Sequence, residues 1–242
     1  VLPVVFLLTA SILAGPAEVV GRCFGKLRPL TAYRWDLVGS LIGISGFTLL
    51  SFLQAPSVAW GIVVAMLFIA LIAGRPRLLA TLSGAGMVAV LMIETLTPGV
   101  SWSPYYKVTT EDVGDGMVLI SVNGVPHQLM AAAQWKLDQG EKIYGTSYER
   151  WEGDLGNVLI VGAGSGSDVA IALAEGARHI DAVDIDPRIL QIGAERNPDR
   201  AYDDPRVTVH VNDGRAFLQS TDTTYDLILF ALPDSLALVN GA

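Results

Sequence analysis

The chain has 242 residues, of which 51% are apolar and only 17% charged, and its formal net charge is −8. Its single cysteine, Cys23, excludes an internal disulfide and a cysteine-rich metal cluster. The three histidines lack ligand spacing, so no metal site is expected, and the acidic balance argues against a nucleic-acid partner, whose phosphates would be repelled.

The charges divide the chain into two unlike parts. Residues 1–100 have a net charge of +3, whereas residues 101–242 have a net charge of −11. We therefore predict a multi-pass transmembrane helical region over 1–98, a small β region and linker over 101–150, and an α/β domain over 151–242. Because the chain is apolar from Val1 onward and stops shortly after a fourth predicted strand, we expect a fragment open at both ends, with an incomplete sheet.

Long apolar runs fill the first part. A membrane crossing takes about 20 apolar residues. The candidate runs are Leu37–Leu53, Val58–Ala73 and Leu78–Ile93 with its flanks, and Val1–Ala14 is expected to be the rest of a fourth. Small residues within the runs permit close helix contacts, which predicts a helical bundle rather than a single anchor.

A short β region is predicted next. Residues 107–130 alternate in the manner of short strands, with a hairpin signal at Asn123–Gly124. Trp102, Tyr105 and Tyr106 precede it directly. They form either an interfacial aromatic belt or part of a substrate site.

After residue 157 strands and helices alternate. Strands are predicted near 157–161, 180–185, 207–211 and 225–230, and helices near 167–176, 187–196 and 214–220. This order predicts a doubly wound parallel sheet of the methyltransferase-like class.

The first strand of this domain ends in a glycine-rich turn at Gly162, Gly164 and Gly166. Glycine is needed there because only a chain without Cβ can turn tightly off a strand and let its backbone approach a ligand closely. Asp184 ends the second strand, where a carboxylate can accept hydrogen bonds from both ribose hydroxyls. The unit is therefore predicted to bind a nucleoside.

The spacing of the glycines indicates which nucleoside. A dinucleotide fingerprint is G-x-G-x-x-G, but here Ser167 stands where the last glycine should be. This disfavours a pyrophosphate. The G-x-G-x-G form with an acidic end to the second strand resembles the adenosyl-sulfonium binders, the methyltransferases and their relatives, which have no diphosphate to bind.

In their order and their amino-acid sequences, the motifs resemble those of the spermidine synthase family, the polyamine aminopropyltransferases. The resemblance is strongest to bacterial members with a membrane-embedded amino-terminal part. The resembling segments are SPYYKV (103–108), NGVPHQ (123–128), VLIVGAGSGSDVA (158–170), AVDIDPRIL (182–190), DDPRVTVHVNDGRAFL (203–218) and YDLILFALPDS (225–235). The resemblance implies binding of decarboxylated S-adenosylmethionine as co-substrate, no prosthetic group, and transfer of its aminopropyl group to an amine such as putrescine.

The resemblance also implies roles for individual residues. The donor would be held by Gly162, Gly164, Gly166, Asp168, Asp184, Ile185, Asp213 and Gly214. Within this set Asp184 would hold the ribose, Asp213 with Gly214 would face the adenine amino group, and Asp168 would serve the donor's cationic end. Asp213 is also a candidate helix N-cap, and the two roles can coexist. The amine would be bound by Tyr106 and Asp234, and Asp234 would be catalytic.

Three positions depart from the family pattern. The fourth strand of the family ends in a D-x-x-D pair, whose first carboxylate acts on the attacking amine, but that position is Ala231 and only Asp234 remains. Ser165 replaces the carboxylate usually found inside the glycine turn. Tyr106 stands where glutamine is more frequent.

Three functions are therefore open from the sequence. The first is a membrane-attached aminopropyltransferase, and the second is an S-adenosylmethionine-dependent methyltransferase, which needs no D-x-x-D pair. The third is a non-catalytic membrane protein that senses polyamine or sulfonium levels. Expected partners are a putrescine-like amine and a lipid bilayer, and the resemblance adds a possible homodimer.

Basic residues between the apolar runs bear on orientation. A cluster in the first connection (Arg22, Lys26, Arg28 and Arg34) marks it as cytoplasmic, and Arg75 with Arg77 marks the third. Counted this way, the soluble part lies outside. We nevertheless expect it on the cytoplasmic face of a bacterial inner membrane, because no nucleoside supply outside the membrane is evident.

Overall fold

The computed structural model describes residues 2–71, 77–139 and 143–231. They divide into two compact units, one up to Leu50 and one from Ser51 onward. The described part of the first hundred residues contains the helices α1 (Leu2–Phe24), α2 (Pro29–Phe52), α3 (Ser57–Leu71) and α4 (Arg77–Thr95).

Three of these helices are long and apolar enough to cross a membrane, by length and composition. They are α1, α2 and the stretch Leu78–Thr95 of α4, whereas α3 has 15 residues and is shorter. The apolar windows of α1 and α2 have no buried side chains. Within the described residues, these helices therefore present apolar surface to their surroundings.

The helix bounds differ from the predicted runs. Helix α1 extends ten residues past Ala14, through Pro16 to Phe24, and α2 begins at Pro29, well before Leu37. Proline suits the first helical position, because the N–H that it lacks would have no partner in the helix there. The apolar runs alone do not include the last turns of α1 or the first turns of α2. Arg75 lies outside the described residues.

The predicted β region is present as an antiparallel sheet. Its strands, in spatial order, are β1 (Val100–Trp102), β2 (Lys107–Gly114), β3 (Met117–Val122) and β4 (Val125–Met130). Asn123 and Gly124 join β3 to β4 with φ values of 49° and 80°, as a type I′ hairpin turn requires. The added strand β1 places Trp102 beside Lys107.

Two short helices follow that the sequence analysis does not predict, α5 (Ala133–Gln139) and α6 (Ile143–Glu149). The domain after them has the predicted alternation: strands β5 (Asn157–Val161), β6 (His179–Asp184), β7 (Val207–Val211) and β8 (Leu227–Phe230), and helices α7 (Ser167–Ala174), α8 (Pro187–Arg196) and α9 (Gly214–Ser220). All three strand pairings are parallel.

The strand order is β7-β6-β5-β8. The chain thus moves outward from β5 through β6 to β7 and then returns to the other side of β5. In open α/β sheets a ligand binds beyond the carboxyl ends of the strands where this reversal occurs. In this protein that point lies between β5 and β8, directly at the glycine turn.

Helices cover both faces of the parallel sheet. Val158 and Ile160 of β5 belong to a core shared with α7, while Leu159 packs with Val183 and with Phe217 of α9. Successive strand residues point to opposite faces, so the sheet is doubly wound, as predicted.

A third core joins the β region to this domain. Val108, Ile120 and Met130 pack against Ile189 and Ile192 of α8. This contact fixes the end of β4 beside the glycine turn.

Candidate active site

The glycine turn follows β5 at the carboxyl edge of the sheet. Gly162, Gly164 and Gly166 have φ values of 82°, 55° and 85°, a region that side chains with Cβ rarely adopt. The backbone N–H groups of Gly162 and Ala163 both donate to the Val183 carbonyl of β6, at 2.8 and 3.0 Å. The turn is therefore tied to the neighbouring strand from its first residues.

Asp184 ends β6 and holds two backbone groups. Its Oδ2 accepts from Gly164 N at 2.8 Å, and its Oδ1 accepts from Asp186 N at 2.8 Å. An ionised carboxylate has about four acceptor positions, so each oxygen retains one for a ligand hydroxyl. Burial raises the pKa of Asp184, and the two backbone hydrogen bonds oppose this rise.

A residue of the β region also reaches the glycine turn. Gln128 of β4 accepts through Oε1 from Ser165 N at 3.1 Å and from Ser165 Oγ at 2.7 Å. Ser165 is fully buried, so a neutral serine bound to an amide stands where the resembling family has a carboxylate. A Cβ on Gly164 would come within 2.9 Å of Gln128 Oε1, so a larger residue here would displace the Gln128 side chain.

The carbonyl groups of the turn are held from the opposite side. Asn197 Nδ2 donates to the Ser165 carbonyl at 2.9 Å, and the Tyr202 hydroxyl donates to the Gly164 carbonyl at 2.8 Å. Backbone groups that would otherwise be buried without partners are thereby satisfied. Hydrogen bonds from Asn197 and Tyr202 thus brace the turn.

Gly193 of α8 lies directly behind this brace. A Cβ there would come within 2.7 Å of the Ser165 carbonyl oxygen and within 2.7 Å of the Tyr202 ring. We expect Gly193→Ala to lower the free energy of unfolding by about 1–3 kcal/mol, as overpacking does, although alanine is the better helix former. The loss should be visible as a lower Tm of the purified protein.

Gly145→Ala is the matched control for this change. Gly145 lies in α6, where a Cβ would have its nearest neighbours at 3.7 and 3.9 Å, which is ordinary contact distance. If Gly193→Ala melted no lower than Gly145→Ala, the close packing behind the turn would not be essential.

Asp213 and Gly214 occupy the end of β7 and the start of α9. Asp213 is the N-cap of α9, because its Oδ1 accepts from Ala216 N at 2.9 Å. The helix-cap role considered from the sequence is thus present. Gly214 packs so closely on Val161 of β5 that a Cβ would overlap the valine. Ile185 lies between Asp184, which ends β6, and Asp186, which caps α8. Its side chain is 45% exposed at the same edge of the sheet.

Tyr105 and Tyr106, in the segment before β2, are influenced by the carboxylates at the ends of the strands. Tyr106 packs against the core that α8 shares with the β region. Burial raises the pKa of its hydroxyl, and the negative charges of Asp186 and Asp184 raise it further. Burial also raises the pKa of Tyr105, with contributions from Asp186, Asp184 and Asp213. Tyr106 therefore lies against the core beside α8, and charges at the carboxyl edge of the sheet act on both tyrosines.

Asp168 lies in the first turn of α7. Burial raises the pKa of its carboxylate, and the neighbouring Lys136 of α5 lowers it. Lys136 is itself buried. The charge of a buried lysine thus acts on Asp168, which the sequence analysis does not anticipate.

Ala231 follows β8 and faces the glycine turn. Its backbone N–H donates to the Val161 carbonyl at 3.0 Å, and a Cβ on Gly162 would lie 3.7 Å from the Ala231 Cβ. The position that carries a carboxylate in the resembling family therefore lies beside the first glycine of the turn. Asp234 lies outside the described residues.

Several supporting residues are missed from sequence alone. Gln128 lies within a segment that resembles the family, but nothing in the segment indicates which polar side chain reaches the turn. Asn197, Tyr202 and Gly193 support the turn from parts of the chain 27 or more residues after it. Only for Gly193 is there a signal, because a glycine inside a helical pattern often marks a close approach.

The α/β domain is similar to known proteins. Residues 148–239 match the family model described as the spermine/spermidine synthase domain. A polyamine aminopropyltransferase of Clostridium perfringens is 38% identical over 79 residues, which are 31% of this chain and 28% of that protein. Spermidine synthase 1 of Hyoscyamus niger is 37% identical over 87 residues, which are 33% of this chain and 26% of that protein.

A crystal structure of spermidine synthase from Thermotoga maritima aligns with 54% of this chain and 46% of its own, at 13% identity and a TM-score of 0.43. The chain spans little more than a quarter of the length of the two curated relatives described above. Residues 148–239 of this chain are therefore similar to the spermine/spermidine synthase domain.

Proposed function

We propose that this protein is a membrane-attached aminopropyltransferase that transfers the aminopropyl group of decarboxylated S-adenosylmethionine to a putrescine-like amine. The observation that carries the proposal is the braced glycine turn with Asp184 bound to its middle glycine, at the point where the strand order reverses. The similarity of residues 148–239 to the spermine/spermidine synthase domain supports the type of group transferred.

The proposed binding site for the aminopropyl donor is built from hydrogen-bond acceptors at the carboxyl edge of the parallel sheet. Asp184 has acceptor positions left for the ribose hydroxyls, and the glycines let the nucleoside approach the backbone. Ile185 is exposed beside Asp184 and offers an apolar surface to the adenine. Asp213, at the end of the adjacent strand, would accept from the adenine amino group while it caps α9.

The reaction is a direct displacement at a carbon that the sulfonium already activates. A bond forms between the amine nitrogen and this carbon, the carbon–sulfur bond breaks, the neutral thioether leaves, and the amine loses a proton to a base. The protein must supply a neutral amine, orient it in line with the breaking bond, and hold two cationic partners together. Carboxylates do all three, and Asp234 would orient the amine and accept its proton.

Calorimetric binding to the purified protein tests the donor assignment. We expect decarboxylated S-adenosylmethionine to bind more tightly than S-adenosylmethionine, and spermidine to form when putrescine is added. The carboxylate of the intact donor needs a cation or a backbone donor that the decarboxylated form does not. Absence of spermidine at saturating substrates would refute aminopropyl transfer to putrescine.

Methyl transfer from S-adenosylmethionine is the second candidate, and Ala231 is the observation that favours it. A methyltransferase needs no carboxylate pair after β8, and the described residues hold none at position 231. Tighter binding of intact S-adenosylmethionine in the same calorimetric experiment would support this candidate. Binding of neither ligand would favour a non-catalytic sensor.

Membrane attachment is proposed from the helices of the first part. Three of them have the length and composition of membrane spans. We place the α/β domain on the cytoplasmic face of a bacterial inner membrane, because both the donor and polyamines are intracellular metabolites. Labelling of Cys23, the one cysteine of the chain, from either side of sealed vesicles tests the side of the basic connection. A cysteine placed at the exposed Asp154 in a Cys23→Ser background tests the side of the α/β domain.

A further inference from the structure

Basic side chains are concentrated at one end of the α1–α2 pair. Arg22 lies in the last turn of α1, Lys26 and Arg28 lie between the two helices, and Arg34 is the sixth residue of α2. Because Cα–Cβ bonds in an α-helix tilt toward its N-terminus, the side chain of Arg34 starts toward this same end. These four residues form the basic connection.

The basic connection is a short, hydrogen-bonded turn. Lys26 N donates to the Cys23 carbonyl at 3.1 Å, and the Arg28 carbonyl accepts from Thr31 N at 2.9 Å. Four residues separate α1 from α2. The positive charges are therefore confined to a small region at one end of the two helices.

Most of this positive charge has no carboxylate beside it. Arg22 pairs with Glu18, one turn earlier in α1. The cations that form no ion pair with any residue that the structure describes are Lys26, Arg28 and Arg34. The next carboxylate, Asp36, lies two positions after Arg34, and side chains two apart on a helix do not face each other. By contrast, the arginines that pair with an aspartate in the second compact unit include Arg196, Arg200 and Arg206.

Exposed apolar and aromatic side chains accompany these charges. Tyr33 and Trp35 lie on either side of Arg34 in the sequence and are 57% and 66% exposed, and Leu27 in the turn itself is also exposed. A dissolved anion would leave these surfaces in water. Tyrosine and tryptophan are instead enriched at the headgroup level of membranes, because one end of each ring is apolar and the other is polar. Unpaired cations beside exposed aromatic rings therefore fit a lipid surface better than a soluble anion.

We propose that the basic connection binds the phosphate groups of anionic phospholipids, with Tyr33 and Trp35 at the boundary between headgroups and acyl chains. A guanidinium can bind a phosphate through two parallel hydrogen bonds, and a lysine ammonium attracts it as a point charge. An anionic leaflet attracts basic segments next to a membrane span. The inference rests on the proposed membrane attachment, whereas it is independent of aminopropyl transfer.

Quenching of Trp35 fluorescence by brominated lipids tests the proposal. The protein is reconstituted into phosphatidylcholine vesicles that contain either brominated phosphatidylglycerol or brominated phosphatidylcholine, and the signal of Trp35 is the difference between the natural protein and Trp35→Phe. At low ionic strength we expect the anionic lipid to be preferred around Trp35 roughly 10- to 100-fold, since each cation near an anionic surface contributes about a fivefold preference. Sodium chloride at about 1 M, where the Debye length is about 3 Å, should remove most of this preference.

Two matched triple variants show whether the basic connection is responsible. The first removes its unpaired cations and is Lys26→Gln/Arg28→Gln/Arg34→Gln. The second removes three exposed cations after residue 100 and is Arg150→Gln/Arg178→Gln/Arg215→Gln. Both lose three positive charges, but only the first should lose the preference for phosphatidylglycerol. Equal quenching of the natural protein by the two brominated lipids, or an unchanged preference in the first variant, would overturn the proposal.

Inorganic phosphate distinguishes a lipid headgroup from a free anion. Added at the same ionic strength as a chloride control, phosphate should reduce the preference no more than chloride does. A larger reduction by phosphate would indicate a site for a soluble anion and would overturn the assignment to lipid.

Flotation of the same vesicles separates this inference from the proposed attachment. Protein that does not float with the vesicles contradicts membrane attachment and with it the lipid site. Protein that floats but shows equal quenching by both lipids contradicts only the lipid site.

Discussion

Ala231→Asp should raise the rate of aminopropyl transfer to putrescine by roughly 10²–10⁴, the usual contribution of a positioned general base. The Ala231 Cβ lies 3.7 Å from where a Cβ on Gly162 would be, so a carboxylate there reaches the mouth of the glycine turn. It would lower the repulsion between a cationic amine and the sulfonium, and it would take the proton of the attacking nitrogen. The rate is measured as spermidine formed at saturating substrates.

Ala231→Asn is the matched control, because it adds nearly the same volume and polarity without a basic carboxylate. The gain should be specific to aspartate and should decline as the pH falls through the pKa of the new carboxyl group. Equal rates for the two variants would show that position 231 is not where the amine loses its proton. The proposed role of this position would then be wrong.

Asp184→Asn should weaken binding of the sulfonium nucleoside by roughly 10- to 150-fold, since a hydrogen bond to a charged group contributes about 1.5–3 kcal/mol. Asparagine has one acceptor oxygen where aspartate has two. It cannot accept from both Gly164 N and Asp186 N and still bind the ribose. The affinity is measured by calorimetry with the purified variant.

Asp112→Asn provides the control for Asp184→Asn, because Asp112 is an exposed carboxylate of β2 that pairs with Arg196. It should bind the nucleoside as the natural protein does. The pH dependence gives a second check: burial raises the pKa of Asp184, and the ligand needs the ionised form. Binding to the natural protein should therefore weaken on acidification at a higher pH than an ordinary aspartate would give. Unchanged affinity of Asp184→Asn would remove Asp184 from the site.

Local sequence patterns were sufficient to predict the strands and helices of the α/β domain. The apolar run before Gly162 and the segments that follow predicted β5 to β8 and α7 to α9 within a few residues, because each pattern is set by hydrophobic period and by glycine or capping residues close to the ends. The helices α5 and α6 were missed. Each has only seven residues, and such short segments carry too little periodicity to be distinguished from a loop.

The sequence by itself determined the division into an apolar and an acidic part, the parallel sheet, the glycine turn and Asp184, since all of these depend on residues that are neighbours in the chain. Only the tertiary structure decided what braces the turn and which charge acts on Asp168. Gln128, Asn197 and Tyr202 reach the turn from 32 to 38 residues away in the chain, and the positive charge of Lys136 acts on Asp168 of α7. Such contacts depend on how strands and helices pack, and packing is set by the summed shape of many side chains rather than by any local pattern.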